Sequence, residues 1–379
     1  MRRRIHRSFL ARTSPRPRAP GLLEGALLDG LGSLYRVGTA LRNFAYARGA
    51  LRARALPWPT ISVGGLVVGG AGKTPVVILL AETVLRMGRR PLILSRGYGA
   101  PNPRPGPLLV DGTSAGAWEE AGDEPVLIAR ACPGAAVIAV ADRRRAALSA
   151  EGTVPFDTII LDDGFQHRRL RRDLDLLVLD GTDPWGSGRL LPRGDLREPP
   201  SAVLRADAIC LSRWKGVLPA GLASWDRPLL RSAWTLEGFR PLSGPSGARI
   251  DLKGRRLGVV AGIGRPHRFL EDLEAAGCTV GWTLWLPDHE PLAARDLVAM
   301  DRAMGDLDLD GFVVTEKDAV RWESALAGTG SVSVAVGSAR WACDDDRRAF
   351  VRLLEAAQDA ARNRGARPAA AGAGARDEA

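Results

Sequence analysis

Residues 61–75 read Ile-Ser-Val-Gly-Gly-Leu-Val-Val-Gly-Gly-Ala-Gly-Lys-Thr-Pro, and this stretch decides the fold of the chain. An apolar run leads into a glycine cluster, and the apolar residues 76–80 follow as the start of a helix. Glycines let backbone N–H groups surround phosphate oxygens, and a helix N-terminus adds partial positive charge. The stretch therefore predicts a strand, a phosphate-binding loop and a helix, with a nucleotide held by Gly69, Gly70, Ala71, Gly72, Lys73, Thr74 and Pro75.

Two side chains of this loop would contact the nucleotide directly. Lys73 would reach the β- and γ-phosphates, and the hydroxyl of Thr74 would bind Mg²⁺. The full motif G-x-x-x-x-G-K-[ST] has glycine six residues before the lysine, where this chain has Val67. The alternative is a glycine-rich turn with an incidental lysine. It is disfavoured because Lys-Thr falls at the junction of strand and helix.

Composition limits the classes of partner. The chain has 379 residues, of which 45% are hydrophobic and 25% charged, which are ordinary values for a globular protein of two domains. A net charge of +10 and a pI of about 10.2 indicate a polyanionic partner such as nucleic acid, nucleotide or anionic membrane. Lysines are few, so Lys73 and Lys317 are candidates for roles that need a compact charge.

Cysteine spacing and hydropathy favour a reducing cytosolic compartment. The four cysteines lie far apart and form no C-x-x-C pair, which indicates neither a disulfide framework nor a zinc site. No apolar run reaches the length that crosses a membrane. The arginine-rich start is not followed by the apolar segment of a secretory signal.

Strands and helices alternate after residue 57, and the strand candidates are apolar throughout. This pattern is typical of a parallel sheet with helices on both faces. A Pro/Gly-rich stretch with short strands follows, and then a second, smaller α/β unit. The predicted organisation is a disordered basic tail (1–20), an amphipathic helix (21–56), a phosphate-loop core domain (57–228), a linker (229–254), a C-terminal α/β domain (255–360) and a disordered tail (361–379).

Residues 21–56 predict a basic amphipathic helix. One helical face carries Leu27, Leu31, Leu34, Leu41 and Ala45, and arginines lie along and after it. Such a helix can lie on an anionic membrane surface, but it can also pack on its own domain. From the residues alone, the packed helix is the favoured alternative, and glycines at 25, 30, 32 and 38 weaken the helix further.

Two acidic residues follow an apolar strand candidate. Asp162 and Asp163 stand where a phosphate-loop enzyme places its second acidic element, and carboxylates together with substrate phosphates suit Mg²⁺. The alternative is an acidic turn before Gly164. Gln166, His167 and four arginines come next; they could bind phosphate or form a solvated turn, and the residues alone do not decide.

Three further residues could take part in chemistry. Asp123 opens a helix, where Asp is a common N-cap, but a carboxylate near a phosphate loop could also accept a hydroxyl proton. His289 lies in a loop after an apolar strand and could orient a base, or be structural. Lys317 could contact an anionic substrate or pair with a carboxylate.

Taken in this order, the motifs resemble the tetraacyldisaccharide 4′-kinase family, the lipid A 4′-kinases of Gram-negative bacteria. The resemblance covers residues 25–355 and is most specific at LDDGFQHR (161–168). The other matching stretches are SVG (62–64), VGGAGKTP (68–75), LSRGY (94–98), EAGDEP (120–125), DR (142–143), GRLLP (188–192), LREP (196–199), ADA (206–208), GIG (262–264), PDH (287–289) and TEKD (315–318). The family also lacks the glycine that Val67 replaces. Departures are Gly65, where the family usually has Asn, and Asp195, where it more often has a small or apolar residue.

The resemblance implies two α/β/α domains joined by a short two-stranded linker, with the active site in the cleft between them. It implies transfer of the γ-phosphoryl group of ATP, with Mg²⁺, to the 4′-hydroxyl of tetraacyldisaccharide 1-phosphate, which gives lipid IVA. It also implies that the N-terminal helix holds the enzyme at the cytoplasmic face of the inner membrane.

The resemblance assigns the site residues as well. It implies Asp123 as the catalytic base, assisted by His289, with Lys73 on the phosphates. It further implies that Thr74 and either Asp162 or Asp163 hold Mg²⁺. Residues at the substrate or in a supporting position would be Arg96, Gln166, His167, Glu198 and Lys317.

Three rival classes fit the sequence less well. Partition-type ATPases carry a lysine just before the glycine pair, where this chain has Val68. A GTPase would have Asn-Lys-x-Asp, whereas residues 315–318 read Thr-Glu-Lys-Asp. Nucleic-acid binding would explain the pI but not the pairing of Lys73 with Asp162 and Asp163. We therefore expect a lipid substrate at a membrane surface, with no nucleic acid and no obligate protein partner.

Overall fold

The computed structural model describes residues 21–110, 112–113, 116–243, 248–329 and 331–365. The predicted tail 1–20 lies outside the described residues, as do residues 366–379. Residues 361–365, which the sequence pattern places in the second tail, continue the last helix.

The first domain is built around a mainly parallel sheet with its first strand in the middle. The strands are β1 Thr60–Gly64, β2 Pro91–Ser95, β3 Leu108–Leu109, β4 Ala136–Ala139, β5 Thr158–Asp162, β6 Leu174–Asp180 and β7 Ala208–Ser212. The helices are α1 Leu22–Ala47, α2 Lys73–Arg86, α3 Trp118–Ala121, α4 Asp123–Ala131 and α5 Arg143–Ala150, with a 3₁₀ helix at Pro200–Arg205. Strand β1 pairs in parallel with β5 and β6. Apolar side chains bury the sheet on both faces, as parallel sheets require.

The second domain repeats this architecture on a smaller scale. Its strands are β8 Leu229–Pro241, β9 Arg256–Ala261, β10 Thr279–Trp285, β11 Gly311–Thr315 and β12 Val332–Trp341, in the order β10-β9-β11-β12-β8. Its helices are α6 Pro266–Ala275, α7 Ala294–Leu307 and α8 Glu316–Leu326, and the described part of the chain ends in α9 Asp344–Gly365. The fold class predicted from sequence, a mainly parallel α/β architecture, is confirmed.

Strand β8 connects the two sheets. Its first residues pair in parallel with β7, and the remainder pairs antiparallel with β12, so the strands form one sheet of twelve. Within the described part of 229–254, Ile250 makes only an isolated bridge to Phe239. The strand that accompanies β8 therefore comes from residues 332–341, about a hundred residues later. The predicted domain boundaries stay a prediction.

Helix α9 returns to the first domain. Phe350, Leu354 and Ala357 are buried in the same core cluster as Val63 of β1. Arg364 donates to Asp173, which lies just before β6. The end of the described chain thus completes the core of the domain that carries the phosphate loop.

Helix α1 lies on the surface of the first domain. Tyr35 donates to the carbonyl of Arg197 at 3.0 Å, and Asn43 donates to Glu198 at 2.7 Å. Large apolar side chains on the helix remain exposed: Leu23, Leu27, Leu31, Leu34, Val37, Leu41 and Phe44. No helix among the described residues is long and apolar enough to span a bilayer.

Candidate active site

The carboxyl ends of five parallel strands meet at one edge of the first sheet. These ends are Gly64, Ser95, Asp162, Asp180 and Ser212, at the ends of β1, β2, β5, β6 and β7. Ligands of open α/β sheets bind at this edge, next to the central strands. The phosphate loop leaves β1 here.

The loop has the backbone of a phosphate cradle. Gly69, Gly70 and Gly72 have φ values of 68°, 62° and 74°, a region that L side chains rarely adopt. Helix α2 begins at Lys73, so its free N–H groups point toward the loop. Ser212 holds the loop by donating to the carbonyl of Ala71 at 2.8 Å.

Val67 has a packing role in this structure. It is 3% exposed, belongs to the core cluster around Phe165 and bridges to Leu196. An apolar residue at this position therefore anchors the start of the loop. Gly65 has room for a side chain, since an added Cβ would come no nearer than 3.4 Å to Lys73.

Asp162 and Asp163 have different surroundings. Asp162 is buried and accepts from Ser95 at 2.8 Å. Burial, Glu124 and Asp163 raise the pKa of Asp162 to about 7. Burial would also raise the pKa of Asp163, but Lys73 at 3.6 Å and Arg197 at 2.6 Å outweigh it and lower that pKa to about 2.

Asp123 and His289 come together across the two domains. Nδ1 of His289 lies 3.0 Å from Oδ2 of Asp123, and the carboxylate is 1% exposed. Oδ1 of Asp123 accepts from the N–H of Glu124 at 2.8 Å, at the start of α4. His289 has φ of 66° and packs edge-on against Tyr98. The predicted pairing of these two residues is thus a contact in the structure.

Lys317 forms ion pairs next to this dyad. Its Nζ lies 3.3 Å from Glu124 and 3.0 Å from Asp288. Although burial would lower the pKa of Lys317, the carboxylates of Glu124, Asp123 and Asp288 raise it above its usual value. Lys317 is therefore a fixed positive charge at the cleft.

Gln166 and Glu198 lie elsewhere, beneath helix α1. Glu198 is fully buried and binds Arg205 through both oxygens, at 2.9 and 3.0 Å. It also accepts from Gln166 and Asn43. The contact with Asn43 holds α1 to the first domain, whereas Gln166 also donates to the carbonyl of Gly65, where the chain enters the phosphate loop, at 3.1 Å.

His167 and Arg96 are next to a concentration of positive charge. Burial, Arg143 and Arg96 lower the pKa of His167 to about 4, so the ring is neutral at pH 7. Arg96 is exposed at the end of β2.

A cleft of about 260 Å³ separates the two domains next to the phosphate loop. One wall is residues 69–76, and the other includes Ile263, Arg265 and Phe269 of the second domain. The apolar part of the lining suits a nucleotide base, and Lys73 and Thr74 belong to the polar part of the lining.

Ion pairs close the cleft on one side. Arg265 lies 3.4 Å from Asp180 and 3.0 Å from Asp183, and Arg268 contacts Asp180 as well. Asp180 is 2% exposed, so its pairs with Arg265 and Arg268 are shielded from solvent, whereas Asp183 is 46% exposed. Arg213 adds a further pair to Asp272 at 2.8 Å.

Sequence reasoning missed several charged site residues. Arg143 donates to the carbonyls of Asp162 and Asp163, and Arg197 neutralises Asp163. Arg143 lies in the motif DR and Arg197 in the motif LREP, and these two motifs are the features of the sequence from which both residues could have been predicted. Glu124 lines the cleft, and Arg321 contacts Asp123 at 3.3 Å from inside the second domain.

The site fits Mg²⁺ through its oxygen donors. Thr74 supplies a hydroxyl and Asp162 a buried carboxylate whose ionised form a cation would favour. Among the described residues, no group of three or more His, Cys, Asp or Glu side chains could hold a metal alone. Mg²⁺ usually takes one or two carboxylates together with nucleotide phosphates, which matches this donor set.

A phosphate loop at a sheet edge, acidic residues on the neighbouring strand and a buried Asp–His pair define a class: phosphate-loop kinases of the α/β type. Comparison with known proteins then gives the family. The model of the LpxK family, tetraacyldisaccharide-1-P 4′-kinase, matches residues 25–358. The chain belongs to this family, which confirms the resemblance found in the sequence.

Individual relatives agree with this assignment. The tetraacyldisaccharide 4′-kinase of Anaeromyxobacter dehalogenans (strain 2CP-C) is 42% identical over 82% of this chain and 85% of its own. That of Syntrophus aciditrophicus (strain SB) is 40% identical over 81% and 87%. A crystal structure described as the "apo" form of LpxK from Aquifex aeolicus in complex with ATP is 30% identical, with a TM-score of 0.67 over 87% of this chain and 99% of that one.

Proposed function

We propose that this chain transfers the γ-phosphoryl group of ATP to the 4′-hydroxyl of tetraacyldisaccharide 1-phosphate and so produces lipid IVA in lipid A biosynthesis. Family membership supports the reaction, with ATP as donor and Mg²⁺ as cofactor. The single structural observation that carries the residue assignments is the Asp123–His289 pair, 3.0 Å apart, beside a phosphate loop.

Asp123 acts as the base that accepts the proton of the 4′-hydroxyl. Its ionised form is favoured by hydrogen bonding and nearby positive charge, which outweigh its burial. His289 orients the carboxylate by a hydrogen bond through Nδ1. Because the two residues come from different domains, closure of the cleft assembles the pair and excludes water that would otherwise hydrolyse ATP.

On the donor side, Lys73 and the loop N–H groups hold the β- and γ-phosphates. In this structure Lys73 is paired with Asp163, so Asp163 orients the lysine and keeps its position fixed. Thr74 and Asp162 would hold Mg²⁺, which supplies charge neutralisation on the phosphates. Arg143 fixes the strand end by donating to the backbone of both acidic residues.

The acceptor reaches the site from a membrane surface. Helix α1 exposes an apolar row that includes Leu23 at 89% and Leu34 at 69%, while its opposite face is bonded to the first domain. An amphipathic helix of this kind lies in the plane of a bilayer interface. The arginine-rich surface favours an anionic leaflet, so we place the enzyme at the cytoplasmic face of the inner membrane.

The reaction is tested with purified protein, ATP, Mg²⁺ and a lipid disaccharide 1-phosphate in detergent. The expected product is the 1,4′-bisphosphate, with ADP formed in equal amount. ATP turnover that is indifferent to the lipid would contradict the proposal. A lipid already phosphorylated at the 4′ position is the matched control, and it should give no lipid product.

A further inference from the structure

Arg321 is buried at the base of the Asp123–His289 pair. It lies on α8, its side chain is 1% exposed, and it belongs to the second domain. Nη2 donates to the carbonyl of Gly262 at 3.0 Å and to Asp318. Nη1 lies 3.3 Å from Oδ2 of Asp123, which belongs to the first domain.

The anchoring of Arg321 is independent of Asp123. Asp318 is held by Thr315 at 2.6 Å and by the N–H of Gly262 at 3.2 Å, so Nη2 of the guanidinium is fixed within the second domain. A guanidinium is planar and rigid, so fixing Nη2 limits where Nη1 can lie. Nη1 then lies beside Asp123 as an ion-pair partner, without the alignment of a hydrogen bond.

The carboxylate of Asp123 is therefore contacted from three directions. Oδ1 accepts from the backbone N–H of Glu124. Oδ2 faces Nδ1 of His289 and Nη1 of Arg321. Lys317 adds positive charge from the same helix as Arg321.

We propose that Arg321 is a positioning residue for phosphoryl transfer, which keeps the carboxylate of Asp123 ionised and oriented toward the acceptor hydroxyl when the domains close. This inference rests on the proposed function, because it assumes that Asp123 is the base. It assigns Arg321 no contact with substrate.

Geometry explains why an arginine is needed at this place. Asp123 and Asp318 are both almost fully buried, and Arg321 lies between them. Two buried carboxylates without the cation would repel each other, and one would take up a proton. The site would then lose its base or move it, and a displacement of about 1 Å can reduce a rate about 10²-fold.

The test compares Arg321→Met, Arg321→Lys and the double variant Asp318→Asn/Arg321→Met. The double variant removes both members of the buried pair and keeps the fold testable if the single Met variant is unstable. Arg364→Met is the matched control, since it also removes an arginine that pairs with a buried carboxylate, Asp173, but far from the dyad. Measurements are kcat, KM for ATP and for lipid, and the pH profile of kcat/KM.

We expect Arg321→Met and the double variant to lower kcat about 10- to 100-fold with little change in KM for ATP. In Arg321→Met the acid limb of the profile should move up by about one pH unit, since a cation near Asp123 is lost while the carboxyl of Asp318 remains, and in the double variant, which removes both, it should move less. Arg321→Lys should restore the limb, because it keeps the charge. Arg364→Met should lower thermal stability and leave kcat and the limb unchanged.

A folded Met variant with normal kcat and an unmoved acid limb would overturn the proposal, and so would a folded double variant with normal kcat or a loss of rate that Lys fails to restore at all. A separate measurement on Asp123→Asn distinguishes failure of the base role of Asp123 from failure of the positioning role of Arg321. If Asp123→Asn transfers phosphate normally, the base assignment fails. If it is inactive while Arg321→Met is normal, only the positioning role fails.

Discussion

At Asp123, burial and charge act in opposite directions. Burial raises its pKa, while His289, Lys317 and Arg321 lower it, and the lowering prevails. The carboxylate is therefore ionised at neutral pH although it is almost fully buried. A base in this state can accept a proton only from a group brought against it, which limits the chemistry to the closed cleft.

Asp123→Asn should lower kcat about 10²- to 10⁴-fold, the usual contribution of a general base, and leave ATP affinity unchanged. The assay is lipid phosphorylation, with nucleotide binding measured by calorimetry. Asp301→Asn, at an exposed position on α7, is the matched control and should behave as wild type. An Asn variant with wild-type kcat would exclude Asp123 as the base.

The surroundings of His167 should make the free energy of unfolding depend on pH. Its pKa is lowered to about 4 by burial and neighbouring arginines, against 6.5 in an unfolded chain. Between pH 6.5 and 4 the unfolded state binds a proton that the folded state does not, so stability should decrease as the pH falls through this window. In urea titrations, His167→Gln should show a smaller decrease than wild type, with His267→Gln as control. If the free energy of unfolding falls equally with decreasing pH in His167→Gln and in wild type, the prediction is refuted.

The site residues that follow the strands of the first domain could be predicted from the sequence. Lys73, Thr74 and Asp162 follow apolar strands, and local pattern is enough to place them at one sheet edge. Asp123 and His289 are 166 residues apart, and only a family resemblance paired them. The role of Arg321 could not be predicted from the sequence, because the role of a buried arginine depends on which carboxylates the tertiary fold brings to it.

Among the elements, α1 has two different faces. Its inner face is bonded to residues 189–198, including a pair of Asp29 with Arg193. Its outer face carries the exposed leucines. The sequence showed the apolar stripe but assigned it first to packing, since which side of an amphipathic helix meets the protein depends on contacts distant in sequence.

Replacing Leu27, Leu34 and Leu41 with glutamate should remove the protein from anionic vesicles in a flotation assay, because the change places three charges at the bilayer interface. Activity on lipid dispersed in detergent should change little. The control is Val298→Glu, at a residue 51% exposed on α7. Flotation of the triple variant at the wild-type level would show that α1 is not the membrane contact.

For the whole molecule, the pairs of Arg265 and Arg268 with Asp180 hold the second domain against the first. Asp180→Asn should raise KM for ATP about tenfold, since breaking one partner of a buried charge pair costs about 2–5 kcal/mol and part of this is lost on closure. Steady-state kinetics would measure the KM for ATP, and small-angle scattering with nucleotide would measure the domain closure. Asp345→Asn, which breaks an exposed pair with Arg348, is the control. An unchanged KM would indicate that closure does not depend on Asp180.

The core formed with α9 makes another prediction. Leu354→Ala should destabilise the protein by about 2–5 kcal/mol, because it opens a cavity in a fully buried position. Urea unfolding measures this, and Leu204→Ala, at a side chain 68% exposed, should have little effect. Equal stability of the two variants would contradict the packing of α9 in the first domain.

The return of α9 also has a consequence for synthesis. The phosphate loop is complete by residue 75, yet Phe350 and Leu354 complete the core behind it. While the chain emerges from the ribosome, the sheet of the first domain therefore stays partly uncovered until α9, which comes near the end of the polypeptide, has been made. Until then its apolar strands are open to wrong partners. Translation that stops early would leave a fragment that carries every loop residue but not a stable domain, and such fragments should be sensitive to proteases.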